Sequence, residues 1–326
     1  MRRLTAILLL CAMAMSYAVA EETDGFDQYL DSCVVATQKD VVYRHPNYKY
    51  WGQTFYKKGC GPASMLNAFS VSFGITDKDM ADTLLIELMK IMTDTHQPKK
   101  EKINRNRIDR LGSDQVYEYP VLGQLKNDFG GVWLSETEDN TVAGAEALLM
   151  RALEENEKVT VFSHLTLYNG WSDLYDFCLR LHEAGYDDAI LTCSYTSAGT
   201  SGTGGPFRSG EDGHFFTPCI RVGSFIEQGI FYVLDSYPMA LPGEKAIRGV
   251  LHGRYAMCTE KNPFKWTFDT SHVKTTVVKC IPCAENREKL AGWVQAGDWN
   301  QAKALMVDAL TTFKTYGEGI LMIVIR

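Results

Sequence analysis

The chain is short of proline and of positive charge. Ten prolines in 326 residues exclude a collagen-like or polyproline chain, and 27 glycines without a repeat exclude a low-complexity one. Lys and Arg number 33 against 40 Asp and Glu, a formal charge of −7, which argues against a broad nucleic-acid or anionic-membrane surface. The one basic run, Lys99, Lys100, Lys102, Arg105, Arg107 and Arg110, has no interleaved aromatic residues and reads as a solvated loop. Residues 194–213 are rich in Gly, Ser and Thr but lack the Lys-Ser/Thr ending of a phosphate loop, so nucleotide binding is not expected. Beyond the first twenty residues no apolar run is long enough to span a bilayer. What the chain does have is core material: 15 Phe, 16 Tyr and 6 Trp exclude disorder as its main state.

The first twenty residues read as a signal peptide. Arg2 and Arg3 form a basic n-region, Leu4 to Met15 an apolar h-region, and Ala18-Val19-Ala20 a cleavage signal. The expectation is a secreted or periplasmic protein of residues 21–326, with the charge moved from −7 to −9 by loss of the two arginines. Of nine cysteines Cys11 leaves with the leader, and Cys33, Cys60, Cys178, Cys193, Cys219, Cys258, Cys280 and Cys283 remain. An exported chain can pair all eight. If one is a catalytic thiolate, the remaining seven cannot all pair with one another.

Residues 21–58 are polar and aromatic and read as an extended lead-in. A helix is expected after Pro62, with Met65, Leu66, Phe69 and Phe73 on its apolar positions and Gly74 as its stop. Further helices are expected at 78–92, through Ala145 to Leu153, at 171–184, at 285–295 and at 299–313. Residues 93–140 read as irregular. Strands are expected at 159–162, 189–193, 214–222, 229–235, 275–281 and 319–325. A helical first part followed by a strand-rich part is an α+β pattern.

Three segments carry chemistry. Gln53 stands ahead of Gly59-Cys60-Gly61-Pro62, Gly213-His214 opens one strand, and Asp235 closes another before Tyr237-Pro238. The free N–H groups and dipole of a helix start favour a Cys60 thiolate. His214 is the candidate base and Asp235 the group that orients it, the nucleophile–base–acid logic of covalent catalysis. The Gln53 amide, with the Cys60 backbone N–H, is the candidate donor set for an oxyanion. Cys280-Ile-Pro-Cys283 has redox spacing, and with Cys258 and His272 it makes a conceivable zinc set; a disulfide or ordinary thiols fit a lone C-x-x-C pair better. His164 and His182 read as structural.

These segments resemble the papain-like cysteine peptidases, specifically the C39-like peptidase family. The resemblance rests on Gln-x6-Cys-Gly-Pro-Ala-Ser, the later Gly-His, and the apolar strand ending Asp-x-Tyr-Pro. It implies a helix that carries the nucleophile and packs on an antiparallel sheet, with catalytic Cys60, His214 and Asp235, Gln53 as oxyanion donor, and Tyr237 shielding the Asp–His hydrogen bond. It implies one domain over 21–326, with an insertion around 75–140 and a C-terminal helical extension around 284–326. A peptide or protein substrate is expected, with no cofactor, no metal and no nucleic acid. The chain departs from the family at the 153 residues between Cys60 and His214 and at Pro218, which interrupts the strand after His214. Two other functions use the same segments: an acyltransferase or transpeptidase passing the acyl group to an amine or thiol, and a catalytically inactive exported binding module.

Overall fold

The computed structural model describes residues 25–37, 49–50, 53–54, 60–91, 109–136, 141–166, 170–197, 214–236, 266–269, 277–282, 284–311 and 318–326. The expected leader, the basic residues from Lys99 to Arg107, residues 198–213 and Tyr237 lie outside them. In chain order the elements are α1 (Gly25–Ser32), β1 (Lys49–Tyr50), β2 (Gln53–Thr54), α2 (Cys60–Phe73), α3 (Lys78–Ile91), α4 (Asp109–Gly112), a 3-10 turn at Asp114–Glu118 and α5 (Pro120–Phe129). There follow β3 (Val132–Glu136), α6 (Val142–Leu153), β4 (Val159–Thr166), α7 (Gly170–Glu183), β5 (Ile190–Ser197), β6 (His214–Arg221), α8 (Val222–Gln228) and β7 (Phe231–Asp235). The chain continues through β8 (Trp266–Asp269), β9 (Val277–Pro282), α9 (Ala284–Ala296), α10 (Trp299–Thr311) and β10 (Glu318–Ile325). No helix among the described residues is long and apolar enough to cross a membrane.

The architecture is mixed α and β, built on one eight-stranded sheet in the order β3-β4-β10-β5-β6-β7-β9-β8. The sheet is antiparallel except at one edge, where β3 runs parallel to β4. That departs from the expected antiparallel sheet. Helix α6 lies between the two strands in sequence, and a strand–helix–strand crossover delivers neighbours parallel.

The stretch 284–326 is built into the sheet rather than added beside it, because β10 lies between β4 and β5. Its Ile320-Leu-Met-Ile-Val-Ile325 run is what a strand buried on both faces requires. Met322 and Val324 pack on one side, Ile323 and Ile325 on the other. Residues 75–140 likewise supply α3, α5 and the edge strand β3, and the lead-in contains α1.

Helices cover both faces. On one, α6, α7, α8, α9 and α10 enclose Val161, Leu191, Ile220, Val233 and Ile323. On the other, α2 lies across the sheet, backed by α3 and α5. There Phe69 stacks on Phe162 at 5.6 Å and Phe73 on Trp133 at 5.0 Å between ring centroids. Helix α1 covers the β7 end of that face, inserting Phe26 and Leu30. Asp27 fixes it there by accepting from Tyr232 Oη and Lys279 Nζ, both at 2.6 Å.

One buried carboxylate holds the α3–α5 pair together. Helix α5 opens at Pro120 with Tyr119 as an N-cap that makes no side-chain cap bond. Glu87 of α3, only 4% exposed, accepts from Val121 N at 3.1 Å and Leu122 N at 2.8 Å. A charge-assisted pair at a helix start contributes about 1.5–3 kcal/mol, so Glu87→Ala is expected to lower unfolding stability by that amount in a denaturant titration. Glu87→Gln keeps one acceptor oxygen and should lose less.

Candidate active site

Helix α2 is buried along its length from Pro62 to Phe73. Its polar side chains therefore need protein partners, and those partners fix how the helix lies on the sheet. Asn67 exchanges two hydrogen bonds with the Ala36 backbone, at 2.8 and 3.0 Å. Ser64 and Thr217 of β6 make two contacts. Thr217 Oγ1 donates to the Ser64 carbonyl at 2.8 Å, and the two hydroxyl oxygens are 3.0 Å apart. Ser72 meets Thr192 of β5 at 3.0 Å between hydroxyls. At the C-terminal end Tyr29 Oη donates to the Val71 carbonyl and Arg326 to the Ser72 carbonyl, supplying donors a helix end lacks.

These contacts orient the helix. Thr192 is the register partner of Cys219. Passing from Ser64 to Ser72 thus moves from the row of Thr217 to the row of Cys219, away from the start of β6. Running back from Ser64 to Cys60, about 6 Å of helix, moves toward that start. Position 214 begins β6, three residues before Thr217. The start of α2, the start of β6 and the end of β7 therefore share one end of the sheet.

Positions 214 and 235 are neighbours across two strands. Asp235 pairs with Phe216 in the antiparallel β6–β7 ladder, so His214 lies one diagonal step from it on the same alternating set. Backbone positions in that relation are roughly 7–8 Å apart. Gln53 lies in β2, paired with Tyr50 in a two-residue ladder ahead of α2.

Pro218 does not break β6. The β5–β6 ladder holds from Ile190↔Arg221 to Thr192↔Cys219, skips two rows, and resumes at Tyr195↔Phe216. A residue without an N–H is accommodated by that local gap, while pairing to β7 continues through Pro218↔Val233.

Four other cysteines have described side chains. Cys33, Cys178 and Cys219 are buried and carry no disulfide, and Cys280 is buried in β9. Burial pushes the Cys33 thiol up to about 11, and pushes Cys178 and Cys219 up as well. Desolvation keeps them neutral, so they behave as small apolar core residues. A disulfide framework of all eight cysteines after Cys11 is thereby set aside.

A pH dependence follows. Below the unfolded thiol range, near 9.0, both states are protonated and stability is full. Above it the unfolded chain loses protons that the folded chain retains, so stability falls as pH rises through about 11. The melting temperature should be flat from neutral pH to about 8.5 and fall steeply beyond, with thiolate absorbance appearing together with unfolding.

Cys283, Cys258 and His272 lie outside the described residues. Among those described, no group of three or more His, Cys, Asp or Glu side chains is gathered as a metal site would require. His182 Nδ1 lies 2.6 Å from Asp187 Oδ1, with its ring edge-on to Trp299, in keeping with a structural role. His164 pairs with Ile320 within the sheet.

Ser64 closes the Cys-Gly-Pro-Ala-Ser motif, but its tie to Thr217 is not read from the sequence. The available signal was a serine one helical turn after Cys60, and a threonine in the otherwise apolar strand that His214 opens. No family model, curated protein or solved structure matches the chain.

Proposed function

We propose that the chain is an exported cysteine peptidase of papain-like, C39-like type that cleaves peptide or amide bonds through a thioester on Cys60. The observation that carries this reading is the shared sheet end. The contacts of Ser64 and Ser72 direct the start of α2 toward the strand ends that bear His214 and Asp235. The leader pattern of Arg2, Arg3 and Ala18-Val19-Ala20 supports export.

In this reading the Cys60 thiolate attacks the carbonyl carbon, forming a C–S bond. The oxyanion is held by the Cys60 backbone N–H and the Gln53 amide. Collapse breaks the C–N bond, and the His214 imidazolium gives its proton to the leaving amine. Water then attacks the thioester while His214 takes its proton, the C–S bond breaks, and the thiolate returns. Asp235 holds the imidazole tautomer.

The reading sets a geometric requirement. Thr217 and Cys219 face α2 and α1, whereas Ile220 and Val233 enter the opposite core. Regular alternation assigns position 215, not 214, to the α2 side and places position 235 with 214, so the start of β6 and the end of β7 must both turn for the imidazole and carboxylate to meet Cys60. The test is incubation of purified protein with a mixed peptide pool. New amino termini are the expected product, and their absence would contradict peptidase activity. Products capped by an added amine in preference to water would move the assignment to acyl transfer.

A further inference from the structure

We propose that Thr217, acting with Ser64, is a positioning residue for the Cys60–His214 pair; the inference rests on the peptidase reading. Two long-range hydrogen bonds join the proposed nucleophile's helix to the proposed base's strand. They lie one helical turn from Cys60 and three residues from His214. Both side chains are fully buried, with 0% exposure, so water cannot substitute for either partner.

The first bond is unusual for a helix interior. The Ser64 carbonyl, already within α2, takes a side-chain donor from the sheet. The hydroxyl–hydroxyl contact alongside it fixes rotation of the helix about its own axis as well as its height above the sheet. On the β6 side, Thr217 adjoins Pro218, where the ladder to β5 is interrupted. Contact with α2 therefore supports the strand at the place where backbone pairing is weakest. Thr217 lies three residues beyond His214 on a strand whose ladder to β5 runs through Ser197↔His214, so its tie to α2 is carried to His214 along paired backbone. A slip of about 1 Å at such a support is enough to cost roughly a hundredfold in a reaction that depends on alignment.

The test uses Cys60 itself and needs no known substrate. Iodoacetamide alkylation of Cys60 is followed by peptide mapping at pH 6 and pH 9 in the full chain. At pH 9 an ordinary thiol is largely ionised, so the rate there reports access. At pH 6 it reports a thiolate held by an imidazolium. The ratio of the two rates isolates the pairing from general loosening.

Thr217→Val keeps the shape and removes both hydroxyl interactions; its pH 6 to pH 9 ratio should fall about ten- to a hundredfold from wild type. Thr217→Ser keeps the hydroxyl and should restore the ratio to within about twofold. Ser64→Ala retains the Thr217-to-carbonyl bond, and serves if Thr217→Val does not fold; its ratio should fall at least about threefold. A wild-type ratio in folded Thr217→Val, or in Ser64→Ala, overturns the proposal alone. A wild-type protein whose Cys60 shows only the ordinary thiol rise near pH 8.5 overturns the peptidase reading, and the positioning role with it.

Discussion

Cys60→Ala is expected to abolish peptide hydrolysis, with a fall of at least about a thousandfold, while leaving the melting temperature close to wild type. The size follows from the role. Removing the nucleophile removes the thioester route, and what persists is only the alignment and oxyanion stabilisation a water molecule can exploit. His214→Ala should cost about as much, and the double variant little more, because the proposed mechanism makes the two act as one unit. Gln53→Ala should cost less, about a hundred- to a thousandfold, as expected for one oxyanion donor among two. Comparable losses from Cys60→Ala and Cys60→Ser, with folded protein in both, separate chemistry from packing. Undiminished hydrolysis in either variant would remove Cys60 from the reaction. The core thiols Cys33, Cys178 and Cys219 do not confuse this experiment, since burial keeps them protonated.

The second large effect is on stability, at Gly131. This residue joins α5 to β3 with φ +69°, and a Cβ placed on it would stand 2.0 Å from the Lys158 carbonyl oxygen. That carbonyl accepts from Val132 N at 3.0 Å, beside the first row of the parallel β3–β4 ladder. A methyl group cannot be relieved by a side-chain rotation, because the obstructing atom is backbone. Gly131→Ala combines a left-handed backbone cost of roughly 1–2 kcal/mol with overpacking of roughly 1–3 kcal/mol and a displaced ladder bond of about 1 kcal/mol. The sum, about 3–6 kcal/mol, is a large share of a typical domain stability of about 5–15 kcal/mol. A thermal melt should show a drop of roughly 5–9 °C. A change below about 2 °C would mean that the β3 edge shifts freely and contributes little to the fold.

The elements that the sequence made plain are those whose pattern is local. Met65, Leu66, Phe69 and Phe73 mark α2, and Gly74, at φ +66°, ends it where expected. The apolar run of β10 was equally clear, but its place between β4 and β5 was not, since strand order depends on partners far apart in the chain. Residues 93–140 read as irregular because their signals are short. Val132-Trp-Leu-Ser-Glu136 has only five residues and acquires its identity from β4, while α5 lacks a side-chain cap of its own and borrows Glu87. Only the first residue of helix α8, Val222, is read into the preceding strand, since it continues an apolar run without a side-chain cap at Arg221, and 223–228 carry no assignment.

The candidate site divides in the same way. Cys60, His214, Asp235 and Gln53 are proposed from residue type and local context. The Thr217–Ser64 tie was not, because it spans 153 residues of sequence and neither residue is distinctive alone.

The central claim, an acyl group carried on Cys60, is tested most directly by trapping that species. An aryl ester such as p-nitrophenyl acetate offers an activated carbonyl: attack forms the thioester and expels p-nitrophenolate, which is read optically. Rapid acid quenching and peptide mapping then locate the acetyl group. The account predicts a burst of p-nitrophenolate close to one equivalent, an acetyl group on the Cys60 peptide, and its loss to water on standing. Neither burst nor adduct should form in Cys60→Ala, and His214→Ala should slow both formation and loss. Acetylation confined to lysines, or a burst that persists in Cys60→Ala, would contradict it.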